Sequence, residues 1–120
     1  MSYDPANVFA RILRGEIPSK KIYEDAHVLA FHDIRPLAPV HALVIPKGGY
    51  ASMDDFHEQA SDAEIAALGR AIGKVARLLG VAESGYRTLA NCGKDANQEV
   101  PHLHFHIFGG RPLGRMLPRE

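Results

Sequence analysis

The most regular hydrophobic pattern in the chain lies between residues 61 and 80. One apolar face recurs there at intervals of three and four residues: Ile65, Leu68, Ile72, Val75 and Leu79. Ser61 and Glu64 have the spacing of an N-terminal capping box, and Gly80 follows the last apolar position. The pattern predicts a long helix whose apolar face covers a sheet.

A shorter helix is predicted near the N-terminus, where apolar residues again have helical spacing: Val8, Phe9, Ile12 and Leu13. Asp4 is the expected N-cap, and Pro5 is the expected first helical residue. Gly15 and Pro18 are expected to end this helix.

Five further segments have the short apolar or alternating patterns of β-strands: 21–24, 27–32, 41–45, 86–91 and 102–108. A proline-braced loop over residues 33–39 and a polar loop over residues 92–101 lie between them. The order α-β-β-β-α-β-β predicts an α+β fold around an antiparallel sheet, as a single domain over residues 1–120.

Composition narrows the class of protein. The 120 residues include 14 basic and 14 acidic side chains, and this balance argues against a nucleic-acid groove, which normally shows a basic excess. Cys92 is the only cysteine, so neither an intrachain disulfide nor a CxxC zinc motif is possible. No apolar stretch approaches the roughly 20 residues of a membrane-spanning helix. A cytoplasmic protein with no membrane partner is expected.

Three histidines alternate with apolar residues in the segment His102-Leu103-His104-Phe105-His106-Ile107-Phe108. Alternate side chains of a strand share one face, so the three imidazoles are predicted to line one side. The apolar residues between them are predicted to face the core.

Three interpretations of this histidine face remain open. It can be a solvated polar face, or two neighbouring histidines can share a zinc ion with His41. All three histidines cannot easily share one ion, because a strand places His102 and His106 ~13 Å apart. The third interpretation is covalent catalysis, in which a neutral imidazole attacks phosphorus while its other nitrogen is held as a donor. The central position of His104, with a possible partner on each side, favours it as the nucleophile.

The histidine segment, followed by Gly109-Gly110-Arg111, is similar to the signature of the histidine-triad (HIT) proteins. The segment over residues 31–47 resembles the second hallmark of that family, and Val8-Phe9 and Ile17-Pro18 also fit. The likeness runs from about residue 7 to residue 114 and is greatest to the Hint branch. It implies a HIT-type fold: a five-stranded antiparallel sheet with a long covering helix, continued across a homodimer.

The resemblance also implies catalytic roles. His104 is expected to attack the α-phosphorus and form a nucleotidyl-histidine, while its other nitrogen donates to the backbone carbonyl of His102. His106 is expected to contact the phosphate and to help protonate the leaving amine. His41 is expected to meet His102 as a supporting residue.

Substrate-binding roles follow from the same resemblance. Asp33 is expected to accept hydrogen bonds from the ribose hydroxyls. Asn91 and the backbone N–H groups near Asn97, Gln98 and Glu99 are expected to hold the phosphate oxygens. The base pocket is expected to be lined by Val8, Phe9, Ile12, Phe31, His32, Ile34 and Leu43.

Two residues depart from the family pattern. Relatives commonly have glycine where Asn97 stands, but asparagine tolerates the left-handed backbone conformation better than other non-glycine residues. Some relatives use serine where Glu99 stands. A carboxylate there is expected to weaken phosphate binding unless the side chain points away.

The resemblance implies a homodimeric purine nucleoside phosphoramidase that needs no cofactor and no metal. One alternative is another HIT enzyme, either a dinucleoside polyphosphate hydrolase or a nucleotidyl transferase. Two others are a nucleotide-binding regulatory protein with vestigial activity and a zinc-binding module.

Overall fold

The computed structural model describes residues 2–118 of the chain. Its helices and strands are, in chain order, α1 Val8–Leu13, β1 Lys21–Glu24, β2 Val28–His32, β3 Val40–Pro46, α2 Met53–Gln59, α3 Asp62–Leu78, β4 Arg87–Leu89 and β5 Phe105–Gly109. The strands form one antiparallel sheet in the order β1-β2-β3-β5-β4. The α+β class and the five-stranded antiparallel sheet are confirmed.

Both faces of the sheet are buried at its centre, because successive residues of β2 and β3 point to opposite sides. One face packs against α3, and its buried residues include Val28, Ala30, Ala42, Val44, Leu68, Val75, Leu103 and Ile107. The other face packs against α1 through Phe9, Leu29, Phe31, Leu43 and Ile45. His106, the histidine of β5, lies on this second face, since it pairs directly with Leu43.

Helix α3 begins as predicted. The Ser61 hydroxyl accepts from the backbone N–H of Glu64, and the Glu64 carboxylate accepts from the backbone N–H of Ser61. The predicted apolar face is buried at Leu68 and Val75. The prediction is wrong for Ile65, which lies in the first turn of the helix and is 37% exposed.

Helix α1 begins later than predicted. Asn7 is the N-cap, and its side-chain oxygen accepts from the backbone N–H of Ala10 at 2.9 Å. Asp4 instead forms a turn, in which its carboxylate accepts from Ala6 and its carbonyl accepts from the backbone N–H of Asn7. Two competent capping residues compete here, and the one nearest the first apolar position caps the helix.

Three other elements differ from the predictions. Helix α2 was not predicted, although Ser52 and Asp55 form a capping box before it. Strand β4 is confined to Arg87–Leu89 within the predicted 86–91, and β5 begins at Phe105 and not at residue 102. The segment before β5 leaves the sheet because the backbone N–H of Leu103 donates to the carbonyl of Tyr50 at 2.8 Å.

Strand β4 ends the sheet on one side, so one of its edges has no neighbouring strand within residues 2–118. An unpaired edge is a place where a second copy of the chain can add a strand. Continuation of the sheet across a homodimer stays a prediction. Along the described part of the chain, no helix has the length and apolar character needed to cross a membrane.

Substitution of Gly109 by alanine tests how tightly β5 packs against the segment after α3. A Cβ on Gly109 would lie 2.8 Å from Cγ1 of the buried Val81, so Gly109→Ala requires the core to shift. We expect the free energy of unfolding to fall by about 1–3 kcal/mol, the usual effect of overpacking. Urea denaturation followed by circular dichroism measures it.

Gly69→Ala is the matched control, because Gly69 lies within α3 and a Cβ there meets nothing within 4 Å. We expect this variant to be more stable by up to about 1 kcal/mol, since alanine is the better helix former. Equal destabilisation of both variants would contradict the packing at Gly109.

Candidate active site

A cavity of about 690 Å³ opens on the α1 face of the sheet. Helix α1, the loop over residues 33–39 and the polar loop before β5 surround it. Three of the four predicted catalytic residues line it, and so do eleven of the twelve predicted binding residues: His41, His104 and His106, with Val8, Phe9, Ile12, Phe31, His32, Asp33, Ile34, Leu43, Asn91, Asn97 and Glu99. His102 and Gln98 do not line it.

His104 is held in a single tautomer. Its Nδ1 lies 2.8 Å from the backbone carbonyl oxygen of His102, and a carbonyl can only accept, so Nδ1 carries the proton. The other ring nitrogen, Nε2, is then an unprotonated base. His104 is 7% exposed. Among residues 2–118 every fully buried side-chain nitrogen has a hydrogen-bond partner, and Nε2 of His104 has none. Nε2 is therefore not fully buried, and it is open to the cavity that His104 lines. The contact with the His102 carbonyl is the one that the family resemblance implied.

The tautomer of His41 follows from a backbone contact. Its Nδ1 accepts from the N–H of Leu37 at 3.1 Å, so the proton lies on Nε2. This Nε2 is 2.9 Å from Nδ1 of His106 and 3.5 Å from Oδ2 of Asp33. His41 therefore donates to His106, which leaves the His106 proton on Nε2. The cavity then contains one imidazole that can attack and, beside it, one that can donate.

The predicted contact between His41 and His102 is wrong. Strand register places His41 opposite Phe108 and Leu43 opposite His106, so His41 and His106 are diagonal neighbours on one face. His102 lies beyond the other end of β3, where its Nε2 is 2.8 Å from the carbonyl oxygen of Pro46. It acts on the cavity only through its own carbonyl.

Burial keeps the site histidines neutral. It lowers the pKa of His102, His104 and His41 below their usual range. For His106, burial and the neighbouring His104 and His41 lower the pKa to about 4. For His104, the hydrogen bond to the His102 carbonyl and the carboxylates of Asp33 and Glu99 offset part of this lowering of the pKa. Near pH 7 the cavity thus offers uncharged imidazoles, the form in which a histidine is a nucleophile.

The site also contains a candidate metal-ligand set, because ligand atoms of Asp33, His41 and His106 lie within 4.8 Å of one another. A histidine that binds zinc normally donates its second ring N–H to an acceptor. Here the second nitrogen of His41 faces the N–H donor of Leu37, which requires Nε2 to keep its proton. The hydrogen bonds therefore favour a chain of proton donors over a zinc site.

The loop over residues 92–101 closes the cavity opposite α1. Asn97 has φ of 59°, the left-handed conformation that asparagine tolerates. Gln98 supports the loop from behind: its Nε2 donates to the carbonyls of Ala51 and Val100, and its Oε1 accepts from the N–H of Gly93. The predicted role of its backbone N–H in holding the phosphate stays a prediction. Glu99 is exposed and is among the residues that line the cavity, and its carboxylate acts to raise the pKa of His104.

The apolar wall of the cavity is also the edge of the core. Phe9 packs edge-on against Phe31, with ring centroids 5.7 Å apart, and against His104 at 4.9 Å. Sequence reasoning missed several lining residues in the segments after α1 and β2 and before β5: Ile17, Pro18, Ser19, Arg35, Leu37 and Val100. All of these residues lie close in sequence to predicted lining residues. The boundaries of the predicted loops were therefore the sequence signal that could have identified them.

The amino-acid sequence of this chain is similar to those of known proteins. The sequence profile of the HIT domain matches residues 14–113. A HIT-like protein of Azospirillum brasilense is 67% identical over 118 residues, which cover 98% of this chain and 97% of the relative. The purine nucleoside phosphoramidase of Escherichia coli is 46% identical over 119 residues, with 94% of each chain covered.

Solved structures of HIT proteins are similar to the structure of this chain. A HIT family hydrolase from Clostridium thermocellum superposes with a TM-score of 0.83 at 41% identity and covers 93% of this chain and 97% of its own. A histidine triad protein from Clostridium difficile has a TM-score of 0.81 at 43% identity, with 92% and 95% covered.

The lowered pKa of His106 predicts an acid-sensitive fold. The unfolded chain binds a proton at His106 near pH 6.5, whereas the folded chain binds it only near pH 4. Between these values the unfolded state holds more protons, so the free energy of unfolding should fall as the pH falls from about 6.5 to 4. Urea denaturation across this range measures the slope.

His106→Asn should reduce this pH dependence, because the side chain that must be protonated on unfolding is gone. His57→Asn removes an exposed imidazole of α2 outside the cavity and should keep the wild-type slope. An unchanged slope in His106→Asn would show that His106 does not contribute to the acid sensitivity.

Proposed function

Because the chain belongs to the HIT domain family, we propose that it is a hydrolase of purine nucleoside 5′-phosphoramidates, acting through a covalent nucleotide on His104. The observation that carries this proposal is the tautomer of His104. Its Nδ1 proton is committed to the His102 carbonyl, which leaves Nε2 as a nucleophile at the cavity wall. The phosphoramidase relative from E. coli supports the choice of substrate.

The cavity has the size and chemistry for a nucleoside monophosphate. Its apolar half, which includes Phe9, Phe31 and Leu43, suits a planar base. Asp33 at the end of β2 supplies an acceptor for ribose hydroxyls. Asn91 and the backbone of the loop at Asn97 supply donors for the phosphate oxygens, next to His104.

In the first chemical step, the Nε2 lone pair of His104 attacks phosphorus, and the bond from phosphorus to the amine nitrogen breaks. When the substrate binds, His106 takes up a second proton from solvent on Nδ1. The departing amine then takes the Nε2 proton, which leaves His106 neutral. An anionic phosphate beside His106 raises its pKa from about 4, which favours the charged imidazolium that can donate. In that state the His41 Nε2–H has Asp33 Oδ2, 3.5 Å away, as its alternative acceptor.

In the second step, water attacks the same phosphorus. A new bond from oxygen to phosphorus forms, the bond to His104 breaks, and the water proton returns to Nε2 of His106. The nucleoside monophosphate leaves, the Nδ1 proton of His106 returns to solvent, and both imidazoles regain their starting states. Backbone N–H donors of the loop stabilise the charge that develops on the phosphate oxygens in both steps.

The charges around the cavity favour an amine over a polyphosphate as leaving group. Asp33 and Glu99 are acidic, and Arg35 is the one lysine or arginine among the described lining residues. Before substrate binds, His41, His104 and His106 are neutral. A dinucleoside polyphosphate would add negative charge next to two carboxylates. A phosphoramidate carries less charge and releases a neutral or cationic amine.

The decisive experiment is AMP release from adenosine 5′-phosphoramidate by the wild type and by His104→Ala, with and without a chelator. We expect turnover in the wild type that is indifferent to the chelator, and a loss of about 10³-fold or more in the variant, as for removal of other catalytic nucleophiles. Rapid quenching followed by mass spectrometry should find the nucleotide on His104. His57→Ala, an exposed histidine outside the cavity, should retain activity.

Other outcomes identify the rival functions. AMP binding without turnover would favour a nucleotide-binding regulatory protein. Faster turnover of diadenosine tetraphosphate, or transfer to a sugar phosphate, would favour another HIT enzyme. Activity abolished by the chelator would overturn the metal-free mechanism.

Glu99→Gln tests the effect of the extra carboxylate. Removing one screened charge is worth about 0.4–1 kcal/mol, so KM for adenosine 5′-phosphoramidate should fall about two- to fivefold. The gain should be larger for diadenosine tetraphosphate and should shrink at high ionic strength. Glu83→Gln removes an exposed carboxylate outside the cavity and serves as control. An unchanged KM at low salt would show that Glu99 does not act on the substrate.

A further inference from the structure

We propose that Tyr3, in the segment before α1, is a positioning residue that fixes the imidazole of His102 and through it the orientation of His104. The part of this inference that concerns catalysis rests on the proposed function. Tyr3 lies outside the cavity lining and 99 residues from His102 in sequence, and no spacing motif links the two.

The argument begins with the tautomer of His102. Its Nε2 lies 2.8 Å from the backbone carbonyl oxygen of Pro46, so Nε2 must carry the ring proton. Burial favours the neutral ring, and in a neutral ring Nδ1 is then an acceptor. His102 is 0% exposed, so solvent cannot satisfy this acceptor. A protein donor is required.

The Tyr3 hydroxyl is that donor. It lies 2.8 Å from Nδ1 of His102, and because Nδ1 has no proton, the hydroxyl donates. The Tyr3 ring is seated against Gly49, where an added Cβ would lie 3.1 Å from Cε2 of the tyrosine. Phe9 presents its ring edge-on to His102 from α1. His102 is thus held at both nitrogens, by the end of β3 and by the N-terminal segment.

The fixed position of the His102 ring affects the nucleophile His104 through the backbone carbonyl of His102. The carbonyl of His102 accepts from Nδ1 of His104 at 2.8 Å, and this contact leaves Nε2 of His104 unprotonated. If the His102 ring loses one anchor, its backbone is no longer fixed by two side-chain contacts. The carbonyl that selects the His104 tautomer then becomes less ordered. Tyr3 therefore acts on the reaction without touching the substrate.

The test compares Tyr3→Phe with Tyr50→Phe. Tyr50 is also a half-buried tyrosine with a hydrogen-bonded hydroxyl, but its partner is Glu64 at the start of α3. We expect Tyr3→Phe to lower kcat for adenosine 5′-phosphoramidate about 10- to 100-fold, the range known for groups that orient metal-ligating histidines. KM should change less than about twofold, since no substrate contact is lost. Tyr50→Phe should keep the wild-type kcat.

Imidazole ¹⁵N NMR measures the tautomers of the histidines, which a loss of stability alone would not change. The wild type should show a single Nε2–H tautomer for His102 and a single Nδ1–H tautomer for His104. In Tyr3→Phe the Pro46 carbonyl still selects the Nε2–H tautomer of His102. The Nδ1 resonance of His102 should move because it loses its donor, and His104 should show mixed tautomers. Gly49→Ala, which displaces the Tyr3 ring and keeps its hydroxyl, should give a smaller change in the same direction if Tyr3→Phe folds poorly.

An unchanged single tautomer of His104 in Tyr3→Phe would overturn the proposal, even if thermal stability falls. An unchanged kcat in a wild type that turns over would also overturn it. If the wild type shows no turnover, the proposed function fails, while the NMR comparison still decides whether Tyr3 orients the histidines.

Discussion

The hydrogen bond from Nδ1 of His104 to the carbonyl oxygen of His102 determines what the cavity can do. A carbonyl has no proton to give, so this 2.8 Å contact selects one tautomer and leaves the other nitrogen of the ring as a base. Three neighbouring features support that contact. The core holds Leu103 between the two histidines, the end of β3 holds the ring of His102, and α1 covers His104 with Phe9.

A second chain of contacts prepares His106 for the opposite task. The backbone N–H of Leu37 forces the proton of His41 onto Nε2, and His41 then donates to His106. Two histidines that are alike in sequence thus receive different proton positions from one carbonyl and one amide. The same amide makes His41 a poor zinc ligand. The hydrogen bonds that suit this cluster to proton transfer therefore also favour its catalytic interpretation over the metal-binding one.

The size of the domain explains why core and cavity share residues. In a 120-residue chain with a sheet buried on both faces, little apolar surface remains for a separate pocket. Phe9, Phe31 and Leu43 belong to the smaller core cluster and also form the cavity wall. Substitutions there will affect both stability and binding, whereas Asp33, Asn97 and Glu99 lie outside both core clusters.

The sequence by itself determined features that depend on neighbouring residues. Helical spacing and a capping box located α3, strand alternation put His104 and His106 opposite the core residues, and the asparagine at position 97 was compatible with a left-handed turn. Local rules could not choose between Asp4 and Asn7 as a cap, and they left α2 unrecognised. The family resemblance identified most of the cavity lining, because those residues lie in or beside its motifs.

Only the tertiary structure decided which distant groups meet. His41 contacts His106 and not His102 because the register of β3 and β5 sets the diagonal pairs, and register is fixed by the packing of the whole sheet. The contact of Tyr3 with His102 spans 99 residues and follows from the way α1 closes over the sheet. Proton positions in the site depend on such contacts, since a ring nitrogen is a donor or an acceptor according to the atom that faces it.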